Sequence, residues 1–189
     1  MPSSNLNFTT SGLIVEVKWR HNNILSYIYR HLKSSISESD KLFCDLEGHN
    51  IGFTTVPLNC SVTNLIPDLC LLSDSDEETK LLILELTVPF ELNIQNAHKR
   101  KNNKYASLVD DIESNNVQTD FIALEIGSRG FIDSDNMKRL KNLYEYIDSS
   151  KLSFKDFKNT ISKLAIVSSF VIFSARNDPT WNNVDLLSV

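Results

Sequence analysis

The sequence predicts an α/β fold in which a small mixed sheet is flanked by helices. Two features of the apolar pattern indicate this class. Apolar residues recur at helical spacing near the start, in the middle and towards the end of the chain. Between them lie short, nearly continuous apolar runs that are typical of buried strands. The predicted order is helix, short strand, two hairpin strands, helix, strand and two helices, which favours a layered α/β architecture.

The chain has the length and composition of one soluble globular domain. It contains 189 residues, of which 41% are apolar and 23% are charged, and a chain of this kind buries a full core. The start of the sequence lacks the basic and apolar segments of a secretory signal, and no apolar run approaches the ~20 residues that cross a membrane. We therefore expect a soluble nuclear or cytoplasmic protein that makes no membrane contact.

The net charge bears on nucleic-acid binding, and the cysteine content bears on disulfide formation. The net charge of −5 argues against a uniformly basic coat for nucleic acid but leaves room for a local basic patch. Cys44, Cys60 and Cys70 form no CxxC pair, and their odd number speaks against a disulfide framework. We expect them to be reduced thiols.

The first part of the chain predicts an arm, a helix and a short strand. Residues 1–12 are polar and predict a flexible arm, followed by a single domain over 13–189. Leu13–Trp19 alternates in polarity and is compatible with a short strand or with the lead-in to a helix. An amphipathic helix is predicted from about residue 20 to 34, and a short strand over Lys41–Asp45. The apolar face of this helix comprises Ile24, Leu25, Ile28 and Leu32.

A β-hairpin is predicted at the centre of the chain. Leu69–Leu72 enters an acidic turn over Ser73–Thr79, and a longer strand over Leu81–Val88 leaves it. Asp68 lies at the start of the first strand and Glu85 in the middle of the second. Buried carboxylates are costly unless they are paired or bind a metal. Because side chains on one face of neighbouring strands converge, we expect these two carboxylates to form a divalent-metal site.

A basic helix follows the hairpin. Pro89 cannot continue a central strand, and the residues from Leu92 to about Glu113 have helical spacing. The expected face of this helix comprises Leu92, Ile94, Ala97, Lys101, Lys104, Tyr105 and Leu108. It would bring cations close to the hairpin carboxylates.

The last third of the chain predicts one strand and a helical extension. The strand covers Thr119–Ile126 and ends in a turn over Gly127–Gly130. The helical extension covers about 135–175, with Asp133 or Ser134 as the N-cap of its first helix. Its two helices are expected near 137–147 and from 154 to 167 or as far as 174.

The hairpin resembles the signature of a known nuclease superfamily. Pro67-Asp68, a variable hairpin and Glu85-Leu86-Thr87 are similar to the motif of the PD-(D/E)XK superfamily, which includes restriction endonucleases and RecB-type exonucleases. The resemblance implies a restriction-endonuclease-like core of helix, three strands, helix and strand, here over about 20–131. It also implies that Asp68, Glu85 and the backbone carbonyl of Leu86 bind Mg²⁺ or Mn²⁺.

A second resemblance spans nearly the whole chain. It is to eukaryotic proteins found alone or behind reverse transcriptases in retrotransposon-like genes. The matching positions are Arg20-His21-Asn22, Pro67-Asp68, Leu84 through Glu91, Ala97, Arg100, Lys101, Lys104, Tyr105, Glu125 through Phe131, and Trp181. This resemblance implies a nuclease-like fold and a link to a retroelement, and the nuclease hypothesis takes DNA as the substrate. A reverse transcriptase and a second copy of this chain are the alternative protein partners.

The chain departs from the superfamily signature at one catalytic position. Thr87 stands where the superfamily usually has a lysine, and the second group shares this threonine. Some members supply the lysine from the following helix, where RecB-type members carry Gln-x-x-x-Tyr. Lys101-x-x-x-Tyr105 resembles that motif, so we expect Lys101 to replace the strand lysine, with Lys104 as the alternative. Contacts to nucleic acid are expected from Arg100, Lys104, Tyr105 and Arg129.

Simpler interpretations exist for the same residues. Asp68 after a proline is commonly a turn or cap residue, and Glu85 is compatible with a structural salt bridge to the helix. A Lys/Arg cluster is usually a solvated helix face. His21 and His49 are expected at the surface or at a helix start, not as metal ligands. A metal-dependent nuclease is therefore the first hypothesis, and a non-catalytic module that binds nucleic acid or a protein is the alternative.

Overall fold

The structure is a computed structural model that describes residues 10–47, 54–74 and 78–175, with side chains over 18–47, 54–74 and 78–174. Several predictions fall outside these residues. They concern the arm up to residue 9, His49, the tip of the acidic turn and Trp181.

The described residues form four α-helices, one 3₁₀ turn and four strands. This confirms the predicted α/β class with a small mixed sheet and flanking helices. In chain order the elements are α1 (Thr10–Lys33), β1 (Lys41–Cys44), β2 (Leu69–Asp74), β3 (Thr79–Thr87), the 3₁₀ turn (Glu91–Asn93), α2 (Ile94–Ser114), β4 (Gln118–Glu125), α3 (Ser134–Tyr144) and α4 (Phe154–Ala175).

The sheet has the strand order β1-β2-β3-β4. The first three strands pair antiparallel, whereas β4 runs parallel to β3 because α2 carries the chain back across the sheet. Leu84 in β3 lies opposite Leu69 in β2 and Ile122 in β4. The start of β2 therefore meets the ends of β3 and β4 at one edge of the sheet.

Each face of the sheet has its own core. On one face, Leu82, Leu84, Leu86 and Val88 pack with residues of α1, α3 and α4. On the other face, Leu81 and Ile83 pack with residues of α2. Because successive side chains of a strand alternate between faces, Glu85 and Thr87 lie on the α2 face. The sheet is thus the middle of three layers.

The predicted element boundaries differ from the structure mainly at the helices. Leu13–Trp19 belongs to α1, so the helical lead-in is right and the strand alternative is wrong. Leu92 is 84% exposed and lies in the 3₁₀ turn, because α2 begins only at Ile94. Asp133 is the N-cap of α3, as predicted, and its carboxylate accepts from the Asn136 N–H.

The two C-terminal helices complete the layer formed by α1. The ring of Phe157 in α4 stacks on Tyr27 in α1, with 5.7 Å between centroids. Arg20 in α1 donates to Ser169 Oγ in α4 and to the carbonyl of Val88, the residue after β3. Helix α1 is therefore held against both the sheet and α4.

None of the helices in the described ranges is long and apolar enough to cross a membrane.

Candidate functional site

Asp68 is held at the edge of the sheet by two donors. Its Oδ2 atom accepts from the Leu86 N–H at 2.6 Å and from His21 Nε2 at 3.1 Å. The Leu86 N–H points towards β2, and the carbonyl of a strand residue points to the same side as its N–H. The Leu86 carbonyl therefore faces the Asp68 side of β3, as the predicted metal site requires.

Glu85 is a buried carboxylate with one paired and one unpaired oxygen. The residue is 2% exposed, and Oε1 forms an ion pair with Lys101 Nζ. Oε2 has no hydrogen-bond partner in the described part of the chain. Burial and then the charge of Asp68 raise the pKa of Glu85, while Lys101 and the nearby Tyr105 hydroxyl act in the opposite direction. An unpaired carboxylate oxygen in a buried site is costly unless a ligand meets it.

Lys101 reaches Glu85 because it lies on the buried face of α2. This face contains Ile94, Ala97, Tyr105, Leu108 and Ile112. Lys101 is four residues from both Ala97 and Tyr105, so it projects towards the sheet between them. The structure thus brings Lys101 to the hairpin carboxylate.

Thr87 contributes a second unpaired polar atom. Its Oγ1 is buried and has no partner within the described residues. Thr87 lies two residues after Glu85 on the same face and is paired in register with Glu125 of β4. A hydroxyl group therefore lies on the α2 face of β3, two residues after Glu85 and opposite Glu125 in the strand register.

His21 belongs to the site, in contrast to the expectation of a surface or helix-start residue. Its Nδ1 faces Asn22 Oδ1 at 3.1 Å and its Nε2 faces Asp68, so both ring nitrogens donate. Burial is the largest single influence and lowers the pKa of His21, but Asp68, Asn22 and Glu85 together outweigh it and raise the pKa. A signal was present in the sequence, because His21 is one helical turn before Ile24 and Leu25 on the buried face of α1.

Tyr105 is hydrogen-bonded to the segment that precedes Asp68, and Lys104 is hydrogen-bonded to Tyr105. Tyr105 is fully buried, and its hydroxyl donates to the Ile66 carbonyl at 3.1 Å. Lys104 Nζ donates to the same hydroxyl at 2.9 Å. Burial raises the pKa of Tyr105. A side chain without exposed surface is not placed to stack on nucleic acid; Tyr105 instead fixes the turn before Asp68.

A cavity of about 930 Å³ opens beside Asp68 and Lys101, whereas Glu85 is not among its described lining residues. Among the predicted nucleic-acid ligands, Arg100 lines it, whereas Lys104 and Arg129 lie outside its described wall. The described lining residues are Lys18, His21, Asp68, Leu86, Thr87, Val88, Pro89, Phe90, Asn93, Asn96, Ala97, Arg100 and Lys101.

Arg129 is fixed beside the cavity by Glu91. Its Nε donates to Glu91 Oε2 at 3.0 Å and its backbone N–H to Oε1 at 2.7 Å. The guanidinium lies 5.1 Å from the centroid of the Phe90 ring. A Cβ atom on Gly127 would lie 2.9 Å from Glu91 Oε1 and 3.1 Å from the Phe131 carbonyl oxygen, so a larger residue would displace the Glu91 side chain.

A second buried carboxylate network lies at the end of β4. Arg139 Nη2 and Asn102 Nδ2 both donate to Nε2 of His98, at 2.9 and 2.7 Å. His98 Nδ1 therefore carries the ring proton and donates to Glu125 at 3.1 Å. Burial raises the pKa of Glu125 to about 7 although Arg139 opposes the shift. No pattern in the sequence predicted that His98, Glu125 and Arg139 would contact each other.

The oxygen donors at Asp68 and Glu85 fit the metal that the resemblance implies. No group of three or more His, Cys, Asp or Glu side chains in the described residues has the geometry of a metal site. Mg²⁺, however, commonly binds one or two carboxylates together with waters and phosphate oxygens. The Oε2 atom of Glu85, which has no partner among the described residues, is the carboxylate oxygen that such a metal would bind.

In comparisons with known proteins, no protein-family model and no curated protein matched this chain.

Proposed function

We propose that this protein is a metal-dependent nuclease of the PD-(D/E)XK type that hydrolyses phosphodiester bonds of DNA. The observation that carries the proposal is the unpaired, buried Oε2 of Glu85, whose other oxygen pairs with Lys101. Lys101 and Asp68 both line the open cavity. The order of the first elements is helix, three strands, helix and strand, which agrees with the order that the resemblance implies.

The roles of the residues follow from their positions. Asp68, Glu85 and the Leu86 carbonyl would hold Mg²⁺ or Mn²⁺, and a bound metal of this kind polarises a phosphate and activates water. Lys101 orients or neutralises the phosphate next to Glu85, because its ammonium group is the nearest cation to that carboxylate. Arg100 attracts the adjoining phosphate backbone. Lys104 and Arg129 add positive charge outside the cavity.

One feature of the site favours the alternative, a non-catalytic module that binds nucleic acid or a protein. Each carboxylate is already paired with a cation, Asp68 with His21 and Glu85 with Lys101. A site of this kind is charge-compensated by its own side chains. The retroelement link, a reverse transcriptase partner, a homodimer and a nuclear or cytoplasmic location are further predictions from the sequence.

A cleavage assay separates the two functions. Purified protein is incubated with labelled single-stranded, duplex and branched DNA in Mg²⁺, Mn²⁺ or EDTA. We expect metal-dependent cleavage that falls by about 100-fold or more in Glu85→Gln and Asp68→Asn. Asp135→Asn is the matched control, because Asp135 is exposed on α3, and it should cleave like the wild type.

Two results would contradict the nuclease. One is an absence of metal-dependent cleavage on every substrate, and the other is undiminished cleavage by Glu85→Gln. DNA binding without cleavage would support the non-catalytic module.

A further inference from the structure

The wall of the cavity next to the carboxylates is largely apolar. Val88, Pro89 and Ala97 line it together with the ring of Phe90, which is 49% exposed. Phosphates do not need apolar walls, because their ligands are cations and N–H groups. The faces of a nucleobase, in contrast, are buried favourably against apolar and aromatic side chains.

The ring of Phe90 packs against the guanidinium group of Arg129. The Arg129 guanidinium lies 5.1 Å from the ring centroid and is itself fixed by its ion pair with Glu91. Phe90 lines the cavity, whereas Arg129 does not belong to its described lining. The guanidinium therefore covers one side of the ring and leaves another side open to the cavity.

Cations are distributed along the same cavity. Lys18 and Arg100 are exposed, and Lys101 lies deeper, at Glu85. Proteins that bind single strands combine a positive groove with aromatic side chains on which bases stack. The cavity combines these two features within one site.

We propose that the cavity binds an unpaired nucleotide of single-stranded DNA, with its base stacked on Phe90. A volume of about 930 Å³ is in the range of sites that enclose one small ligand. Bases within a duplex are stacked on each other and out of reach of such a ring. The inference rests on the proposed function only for the position of the phosphate beside Lys101, whereas the base contact stands independently.

Binding measurements in EDTA test the base contact without cleavage. The probes are a labelled single strand, a strand of the same length with abasic sites throughout, and a blunt duplex, compared by fluorescence anisotropy at one low salt concentration. The abasic strand carries the same phosphates but no bases. We expect the wild type to bind the base-bearing strand about tenfold more tightly than either other probe.

Substitutions at Phe90 test the platform. Phe90→Ala should weaken binding of the base-bearing strand about tenfold and leave the abasic strand nearly unchanged, whereas Phe90→Trp should retain binding. Phe131→Ala is the matched control, since Phe131 is 54% exposed and lies outside the described lining. Thermal unfolding of each variant verifies that it is folded.

The outcomes separate this inference from the proposed function. Base-dependent binding that is lost in Phe90→Ala, with no cleavage in any metal, supports the inference and contradicts the nuclease. Metal-dependent cleavage of duplex that is unaffected by Phe90→Ala supports the nuclease and overturns the inference. Equal affinity for the base-bearing and abasic strands, or no binding of either, also overturns the inference.

Discussion

Lys101 of α2 places a cation at Glu85, whereas Thr87, two residues after Glu85 in β3, carries no charge. Thr87 therefore cannot provide a cation. Lys101 lies on the buried face of α2, and its ammonium group reaches Glu85 in the sheet. Lys104, three residues later, contacts the Tyr105 hydroxyl instead. The two lysines therefore have different environments although both belong to the same basic cluster.

Substitution of these two lysines tests this difference. Lys101→Met should reduce cleavage about 100-fold, because it removes the cation beside the phosphate, and Lys104→Met should reduce it no more than a few-fold. Single-turnover rates measure the effect. Thermal unfolding is measured in parallel, since Lys101→Met leaves Glu85 without its partner. Cleavage that survives the double substitution would show that neither lysine replaces the strand lysine.

Glu125 should make the folded state sensitive to pH. Burial raises its pKa from 4.5 to about 7, so the folded protein retains a proton that the unfolded chain releases. Stability due to this group is therefore present below about pH 4.5 and is lost as the pH rises to about 7. The total loss is about 3 kcal/mol in the free energy of unfolding.

Urea unfolding of the wild type and of Glu125→Gln between pH 4 and 8 measures this contribution. The amide keeps the shape of the side chain and does not titrate. The difference in unfolding free energy between the two proteins should change by about 3 kcal/mol over this range. A difference that does not vary with pH would mean that His98 and Arg139 keep Glu125 ionised throughout.

At the scale of elements, the first turn of α3 is tied to the end of β4. The Glu125 N–H donates to Asn136 Oδ1 at 2.8 Å, and the Asn136 N–H donates to Asp133 Oδ1 at 2.8 Å. The side chains of Asp133 and Asn136 thus join the start of α3 to the end of β4, where Glu125 lies. Without them, buried N–H groups at both ends would lack partners.

Removal of the cap should destabilise the protein measurably. Asp133→Ala is expected to lower the free energy of unfolding by about 1 kcal/mol, because the helix loses the acceptor for its first turn. Asp135→Ala, in the same turn but exposed, should change it by less than about 0.5 kcal/mol. Urea denaturation measures both. Equal effects of the two substitutions would argue against a specific cap.

At the scale of the molecule, three layers converge on the site. Helix α1 supplies His21, β3 supplies Glu85 and Thr87, and α2 supplies Lys101. Asp68 directly precedes β2. Metal binding should therefore stabilise the whole fold, because the ligands come together only in the folded state.

Unfolding in the presence of metal gives a readout that does not depend on cleavage. At a concentration 100 times its dissociation constant, Mg²⁺ or Mn²⁺ should add about 2.7 kcal/mol to the free energy of unfolding. Asp68→Asn and Glu85→Gln should abolish the gain, and Asp135→Asn should preserve it. A gain of equal size in all four proteins would place the metal elsewhere.

The apolar pattern of the sequence was sufficient to predict the layers. Leu81 through Val88 reads as a buried strand, and Ala97 and Lys101 lie on one face of a helix, because both periodicities are local properties of the chain. The sequence therefore determined the element order and the position of Glu85 within a buried strand, whereas Lys101 and Lys104 remained alternatives for the cation beside it.

Only the tertiary structure decided which distant side chains meet at the edge of the sheet. It pairs His21 with Asp68 and joins His98, Glu125 and Arg139, and it buries Tyr105 beneath the Asp68 segment. These contacts join segments far apart in the chain. Their partners are selected by strand register and helix packing, which no local pattern of hydrophobicity encodes.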